Sequence, residues 1–136
     1  MSTLWKFNGT TWDRERGNVD GTALASAART VATNSADLTN YNGNTVDVFI
    51  DVTAWTAGSI TVTIQGKDVL SGKYYTILAG TAIGSATTQI LRVGPGILSA
   101  ANASAQYALP RTWRVSVAVG TADSITYSIG FSTTVA

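Results

Sequence analysis

Cysteine and histidine are both absent from this 136-residue chain. Without cysteine there is no disulfide framework and no thiolate metal site. Without histidine the commonest general base and the commonest metal ligand are gone, and a Ser-His-Asp triad is impossible. Charge is also scarce. Charged residues make up 12% of the chain and sum to +1, about half the usual share for a globular domain. A chain so nearly neutral has no large field to draw nucleic acid or an anionic membrane. No apolar run approaches the ~20 residues of a membrane-spanning helix. The start, "MSTLWKFNG", lacks the charged opening and apolar core of a signal peptide, so synthesis in the cytoplasm without secretory export is expected.

Lys, Glu, Leu and Met are few, while Thr, Val, Ser, Ala and Gly dominate. Thr and Val suit a pleated, half-buried surface, and the abundance of turn formers points to an all-β chain. "TVDVFIDVT" (Thr45 to Thr53) alternates strictly. Val46, Val48, Ile50 and Val52 fall on one face, Asp47, Phe49 and Asp51 on the other. "SITVTIQGKD" repeats the pattern with Ile60, Val62 and Ile64 inward, and "TAWTAG" between the two is short enough for a hairpin. "SGKYYTILAG" and "TTQILRVGPG" read as strands, the second stopped by Gly94-Pro95-Gly96. "RTWRVSVAVG" puts Trp113, Val115, Val117 and Val119 on one face. "SITYSIGFST" does the same for Ile125, Tyr127, Ile129 and Phe131, with "TADS" joining the two as a tight hairpin.

Two stretches are less regular. Ala23 to Ala28 permits a short helix, and Arg29 to Thr33 reads as a strand. Ile97 to Pro110 reads as a crossover loop with room for one helical turn. The expectation is a two-sheet β-sandwich, jelly-roll-like, of about six to eight strands. Residues 1–22 would form an N-terminal arm or hairpin and residues 23–136 the sandwich.

The search for chemistry returns no catalytic, cofactor or metal residues, and a non-enzymatic protein is expected. Asp47 and Asp51 lie four apart on one strand, hence ~13 Å apart, too far to share a proton or chelate one ion. No loop carries a D-x-D-x-D run. "GKDVLSGKYY" lacks the Gly-Lys-Ser/Thr ending of a phosphate loop and reads as a polar hairpin tip. Tyr74, Tyr75 and Tyr107 invite a sugar-stacking role, yet adjacent Tyr74 and Tyr75 point to opposite faces and form no single platform. Arg111, Trp113 and Arg114 read as a core Trp flanked by surface arginines. The competing reading is an interface strand, since Arg and Trp are frequent anchors.

"SADLTNYNGNTVDVFIDVTAW", "SITVTIQGKDVLSGKYYTILAG", "ILRVGPG" and "ALPRTWRVSVAVG…SITYSIGFS" resemble a recurring small structural protein of tailed bacteriophages. "TIQGKD…SGKYYTIL" and "LPRTWRV" carry most of the resemblance. "FNGTTWDRERG" is similar to a short segment common near the starts of phage virion proteins. The resemblance implies a β-sandwich on the virion, at the capsid surface, as a decoration (cement) protein. Its partners would be the major capsid protein and neighbouring copies of itself, as in a trimer, with no nucleic acid and no membrane. A tail or baseplate β-sandwich is the alternative, and a carbohydrate-binding module a third.

"LWKFNGTTWDRERGN" concentrates aromatics and charge near the N-terminus. A hairpin with Asn8-Gly9 at its turn is expected, flanked by Leu4 to Phe7 and Thr11 to Arg14. Either this ribbon caps its own sandwich with Trp5 and Phe7 as ordinary core, or it is an arm toward a neighbour. In the second case Trp5, Phe7 and Trp12 are anchors, and Arg14 and Arg16 pair with acids. Arg111 and Arg114 complete the expected partner interface.

Overall fold

The computed structural model describes residues 5–7, 9–14, 18–41, 43–120 and 124–134. The elements are β1 (Trp5–Phe7), β2 (Trp12–Arg14), β3 (Asn18–Arg29), β4 (Thr33–Asn34), β5 (Leu38–Thr39), β6 (Thr45–Trp55), β7 (Ile60–Lys67), β8 (Tyr74–Ala79), β9 (Thr88–Gly94), β10 (Ser104–Gln106), β11 (Thr112–Val119) and β12 (Ile125–Thr134). No helix occurs among the described residues. One sheet runs β10-β9-β6-β12-β3. The other runs β4-β11-β7-β8, with β5 also on β11. Strands β1 and β2 form a separate two-stranded ribbon. The chain is a β-sandwich, with ten strands in its two sheets among the described residues, more than the six to eight expected because the short β4, β5 and β10 leave little trace in the alternation.

The period-two patterns build the core. Val46, Val48, Ile50 and Val52 of β6 are buried with Leu91 and Val93 of β9 and with Ile125, Tyr127 and Ile129 of β12. Opposite them lie Ile60, Val62 and Ile64 of β7 and Trp113, Val115 and Val117 of β11. Burying a large apolar side chain contributes roughly 1.5–3 kcal/mol. A facing pair of alternating sheets therefore suffices for a core without helices.

Three connections differ from expectation. "TAWTAG" does not close a hairpin: β6 pairs with β9 and β12, whereas β7 pairs with β8 and β11, so the chain changes sheets there. Gly58 takes the positive φ of 87° this corner needs, and the Trp55 indole donates to its carbonyl at 2.8 Å. The passage from β11 to β12 likewise changes sheets, although "TADS" reads as a tight turn. Alternation reveals which face of a strand is buried, but not which sheet the strand joins. Finally, Ala23–Ala28 is strand rather than helix, and the expected strand from Arg29 to Thr33 is broken. β3 ends at Arg29, and β4 begins at Thr33. Pairing along β12 overrides the helix propensity of alanine there. Because β3 begins at Asn18, residues 18–22 are part of the sandwich sheet. The stretch from Ile97 to Pro110 contains β10, which pairs parallel to β9, and before it a single hydrogen-bonded turn in which the Ala103 and Ser104 amides donate to the Ala100 carbonyl at 3.1 and 3.0 Å.

The registers define two ends of the sandwich. One end gathers the start of β6, the finish of β9 and β12, the finish of β7 and the start of β8 and β11. Backbone bonds tie this end together, and one of them, from Leu109 before β11 to Asn44 before β6, crosses between the sheets. Asn44 donates to Thr134 at 3.0 Å, Leu109 to Asn44 at 3.3 Å, Asn40 to Arg111 at 2.7 Å and Tyr107 to Gly94 at 3.2 Å.

Candidate contact surface at one end of the sandwich

The N-terminal ribbon sits at this end. Trp5 pairs with Arg14 and Phe7 with Trp12, so the three aromatics share one face of the ribbon. Gly9 turns it with a φ of 102°. A Cβ on Gly9 would lie 2.2 Å from the Tyr41 hydroxyl, so the missing side chain is what lets the turn seat on Tyr41. Phe7 packs at 5.6 Å from Trp12 between ring centroids. With Asn40, Tyr41, Leu109 and Arg111 it also lines a cavity of about 380 Å³.

Both expectations for the ribbon therefore need adjusting. It does contact its own domain, through Gly9 and Tyr41. Its aromatics, however, are not ordinary core: Trp5 is 61%, Phe7 49% and Trp12 68% exposed. Arg14 lies in β2 opposite Trp5, and Arg16 falls outside the described residues.

The two remaining expected interface residues separate. Arg111 precedes β11, is exposed, and places its guanidinium 5.9 Å from the Tyr41 ring centre, beside Phe7. Arg114 turns instead to the outer face of the second sheet. It stacks 3.4 Å from the Tyr74 ring centre and donates to Gln65 at 2.8 Å. Trp113 is fully buried, as the core reading of that strand expects.

Around Arg114 the outer face holds a closed network. Asp37 accepts from Lys67 at 2.8 Å and from the Tyr74 hydroxyl at 2.5 Å. These bonds, that of Lys67 first, hold the Asp37 carboxyl below its ordinary value of 3.8, and the Lys67 ammonium is raised in turn. The network fastens the segment before β5 onto β7 and β8. A carboxyl depressed on folding contributes stability that is full above its unfolded pKa and is lost as pH falls through the folded one. Asp37→Asn is expected to melt slightly below the wild type near neutrality. That gap should close as pH drops below the ordinary Asp value. A gap that persisted unchanged at acid pH would show that the charge of Asp37 is not its source. The effect is small because the pair is solvent-screened.

Sequence reasoning missed three features of this end. Tyr75 and Tyr107 meet: Tyr107, hydrogen-bonded to it, and then burial push the Tyr75 phenol up. Tyr75 also lies across Gly66, where a Cβ would come 2.4 Å from its ring. Their approach depends on the fold of the loop after β9, which leaves no pattern in sequence. Tyr74 points to the other face, toward Asp37 and Arg114, as alternation requires. The third feature is the β7–β8 tip, which is apolar at its apex: Val69 and Leu70 are exposed. Among the described residues no group of three Asp, Glu, His or Cys side chains is placed to hold a metal ion.

No family model matches the chain, and no curated protein matches it. Solved structures do. A chain in the structure of the infectious bursal disease virus Gx strain aligns with a TM-score of 0.54 at 10% identity, covering 95% of this chain and 36% of that one. The SPBc2 prophage-derived protein YomS aligns at 0.49 and 10% identity, covering 85% and 93%. A chain of the Gt strain of the same bursal disease virus aligns at 0.49 and 10%, covering 94% and 37%. The chain thus spans little more than a third of the length of the Gx chain. What the Gx likeness establishes is a shared sandwich fold.

Proposed function

We propose that this chain is a non-enzymatic structural protein of a phage virion, which decorates the capsid exterior by binding the major capsid protein. The observation that carries this reading is the concentration of contact chemistry at one end of a rigid sandwich. Trp5, Phe7, Trp12, Tyr41, Tyr107 and the β7–β8 tip all expose apolar surface there. Large apolar groups gathered at one end of a domain mark an interaction site, whereas scattered ones need no explanation. The phage-like motifs and the fold shared with a virus chain support the virion setting. The sandwich would be the spacer that holds the sticky end in fixed geometry.

The test is localisation. Phage particles carrying a labelled copy of the chain are separated into heads and tails, and density or label is mapped. Signal on the outer surface of heads is expected. Signal confined to tails would replace the capsid reading with a tail or baseplate one, and signal on neither would reject both.

A further inference from the structure

The tip joining β7 to β8 presents the most exposed aliphatic pair of the described residues. Leu70 is 95% and Val69 77% exposed. An apolar residue on a loose loop would mean little, but this loop is locked. The Asp68 carboxylate accepts from the Leu70 amide at 3.2 Å and from the Ser71 hydroxyl at 2.7 Å. The Asp68 backbone closes the loop in both directions, donating to Lys73 at 2.8 Å and accepting from Gly72 at 2.7 Å. The Lys73 amide donates to Ser71 Oγ at 3.3 Å, and Gly72 supplies a φ of 75°. Sequence elements that fix a loop around two solvent-facing aliphatics hold them ready for a partner. A preorganised tip gives up little conformational entropy when it is inserted.

The surroundings define the partner's chemistry. On the second sheet, this end carries Lys67, Lys73, Arg111 and Arg114 with two acids, Asp37 and Asp68. Both acids are already engaged within the chain. Lys73 and Arg111 are exposed, and neither has an acid partner among the described residues. Arg111 stands level with Asp68, because Trp113 pairs with Gly66 two residues along each strand. The apolar tip is therefore flanked by uncompensated positive charge.

We infer that the Val69–Leu70 tip is the apolar anchor of the attachment surface, and that its partner is a protein face bearing an apolar pocket rimmed by carboxylates. This rests on the virion-attachment reading and specifies its contact. Val69 and Leu70 fill the pocket, while Lys73 and Arg111 meet its rim. A few fully desolvated anchors carry most of the energy of such interfaces, and the rim charges set approach rate and salt dependence. A second copy fits less well, since a symmetric contact through this end would press like charges together.

The experiment compares wild type with Val69→Ser/Leu70→Ser, and with Lys73→Glu/Arg111→Glu, for binding to virions from which the chain has been deleted. Bound protein is quantified on head and tail fractions separately. Melting temperatures are measured first; both pairs are exposed, so shifts within the ~2 °C typical of surface changes are expected. The serine pair should bind at least about tenfold more weakly. The glutamate pair should bind more weakly too, and wild-type binding should fall as salt rises. Serine-pair binding equal to wild type overturns the inference, whichever fraction is bound. Wild-type binding to tails alone overturns the capsid reading, while the ratio of variant to wild type still decides the role of the tip. Three further outcomes also overturn the inference. They are absence of wild-type binding to any fraction, self-association abolished by the serine pair, and binding to anionic vesicles in preference to virions.

Discussion

Replacing Trp113 by Ala should lower the melting temperature more than any exposed substitution in this chain, by roughly 10–20 °C, on the basis of the ~3–5 kcal/mol that large-to-small changes at buried Trp cost. Trp113 has no solvent exposure. From β11 it reaches across the sandwich to Phe131 of β12, edge to face, with ring centroids 5.1 Å apart. Phe131 in turn covers Gly21 of β3, where a Cβ would lie 2.4 Å from the ring. The column Trp113–Phe131–Gly21 thus joins the second sheet to the far edge of the first. Emptying its centre removes contacts from both sheets, and neither backbone ladder can close around the gap.

Trp113→Phe should be much milder. The indole N–H is buried and meets no acceptor among the described residues. A phenyl ring therefore loses volume but also removes an unsatisfied donor, and the two effects oppose each other. Urea unfolding would check this, with the midpoint falling steeply for Ala and little for Phe at unchanged slope. A Phe variant as unstable as the Ala variant would mean that the indole edge has a partner, and the column argument would fail.

The core of this protein was legible in its sequence because it is built from strict alternation. Val46, Val48, Ile50 and Val52 read as inward-facing and are buried. The same holds for Ile60, Val62 and Ile64 and for Trp113, Val115 and Val117. Sheet membership was not legible. "TAWTAG" and "TADS" have hairpin length, yet each carries the chain from one sheet to the other. Pairing depends on strands distant in sequence, such as β6 with β12, and a short loop is compatible with either outcome. The ribbon was legible because Asn-Gly between aromatics carries a local signal; Gly9 lies in its turn, and Asn8 falls outside the described residues. That Gly9 seats on Tyr41 was hidden, since it depends on a loop about thirty residues away. The β7–β8 tip shows a different failure. Its composition is mainly polar, so it reads as solvated, and only the structure shows that Asp68 and Ser71 are consumed internally while Val69 and Leu70 face solvent.

Arg29→Ala is expected to destabilise the fold by about 2–3 kcal/mol, since charge-assisted hydrogen bonds contribute more than neutral ones, and to cause association beyond that of the wild type. β3 is a twelve-residue edge strand, paired only with β12 among the described residues. Between Asp20 and Arg29 it contains no charged residue and no proline, two of the usual guards of an exposed edge. It has other protection. The register with β12 slips between Tyr127 and Ile129 and again between Ile129 and Gly130, each slip adding one residue to β3. Such bulges break the flat row of donors and acceptors that another strand needs. Arg29 then fixes the first bulge. Its guanidinium donates to Ala25 at 2.6 Å, to Ala27 at 3.3 Å and to Tyr127 of β12 at 3.0 Å. It also lies 4.6 Å from the centre of the Tyr127 ring, an added cation–π attraction. One inward-pointing side chain thereby occupies two carbonyls of the edge strand and holds the kink in place. Lys in its place keeps the charge but lacks the planar fork that reaches several acceptors, so Arg29→Lys should fall between wild type and Arg29→Ala. Thermal melting and sedimentation velocity over a concentration series would read both effects. A lower melting temperature without new association would limit Arg29 to a stabilising role. Association unchanged together with a melting temperature within ~2 °C of wild type would reject the role altogether, because surface substitutions away from such devices give shifts of that size.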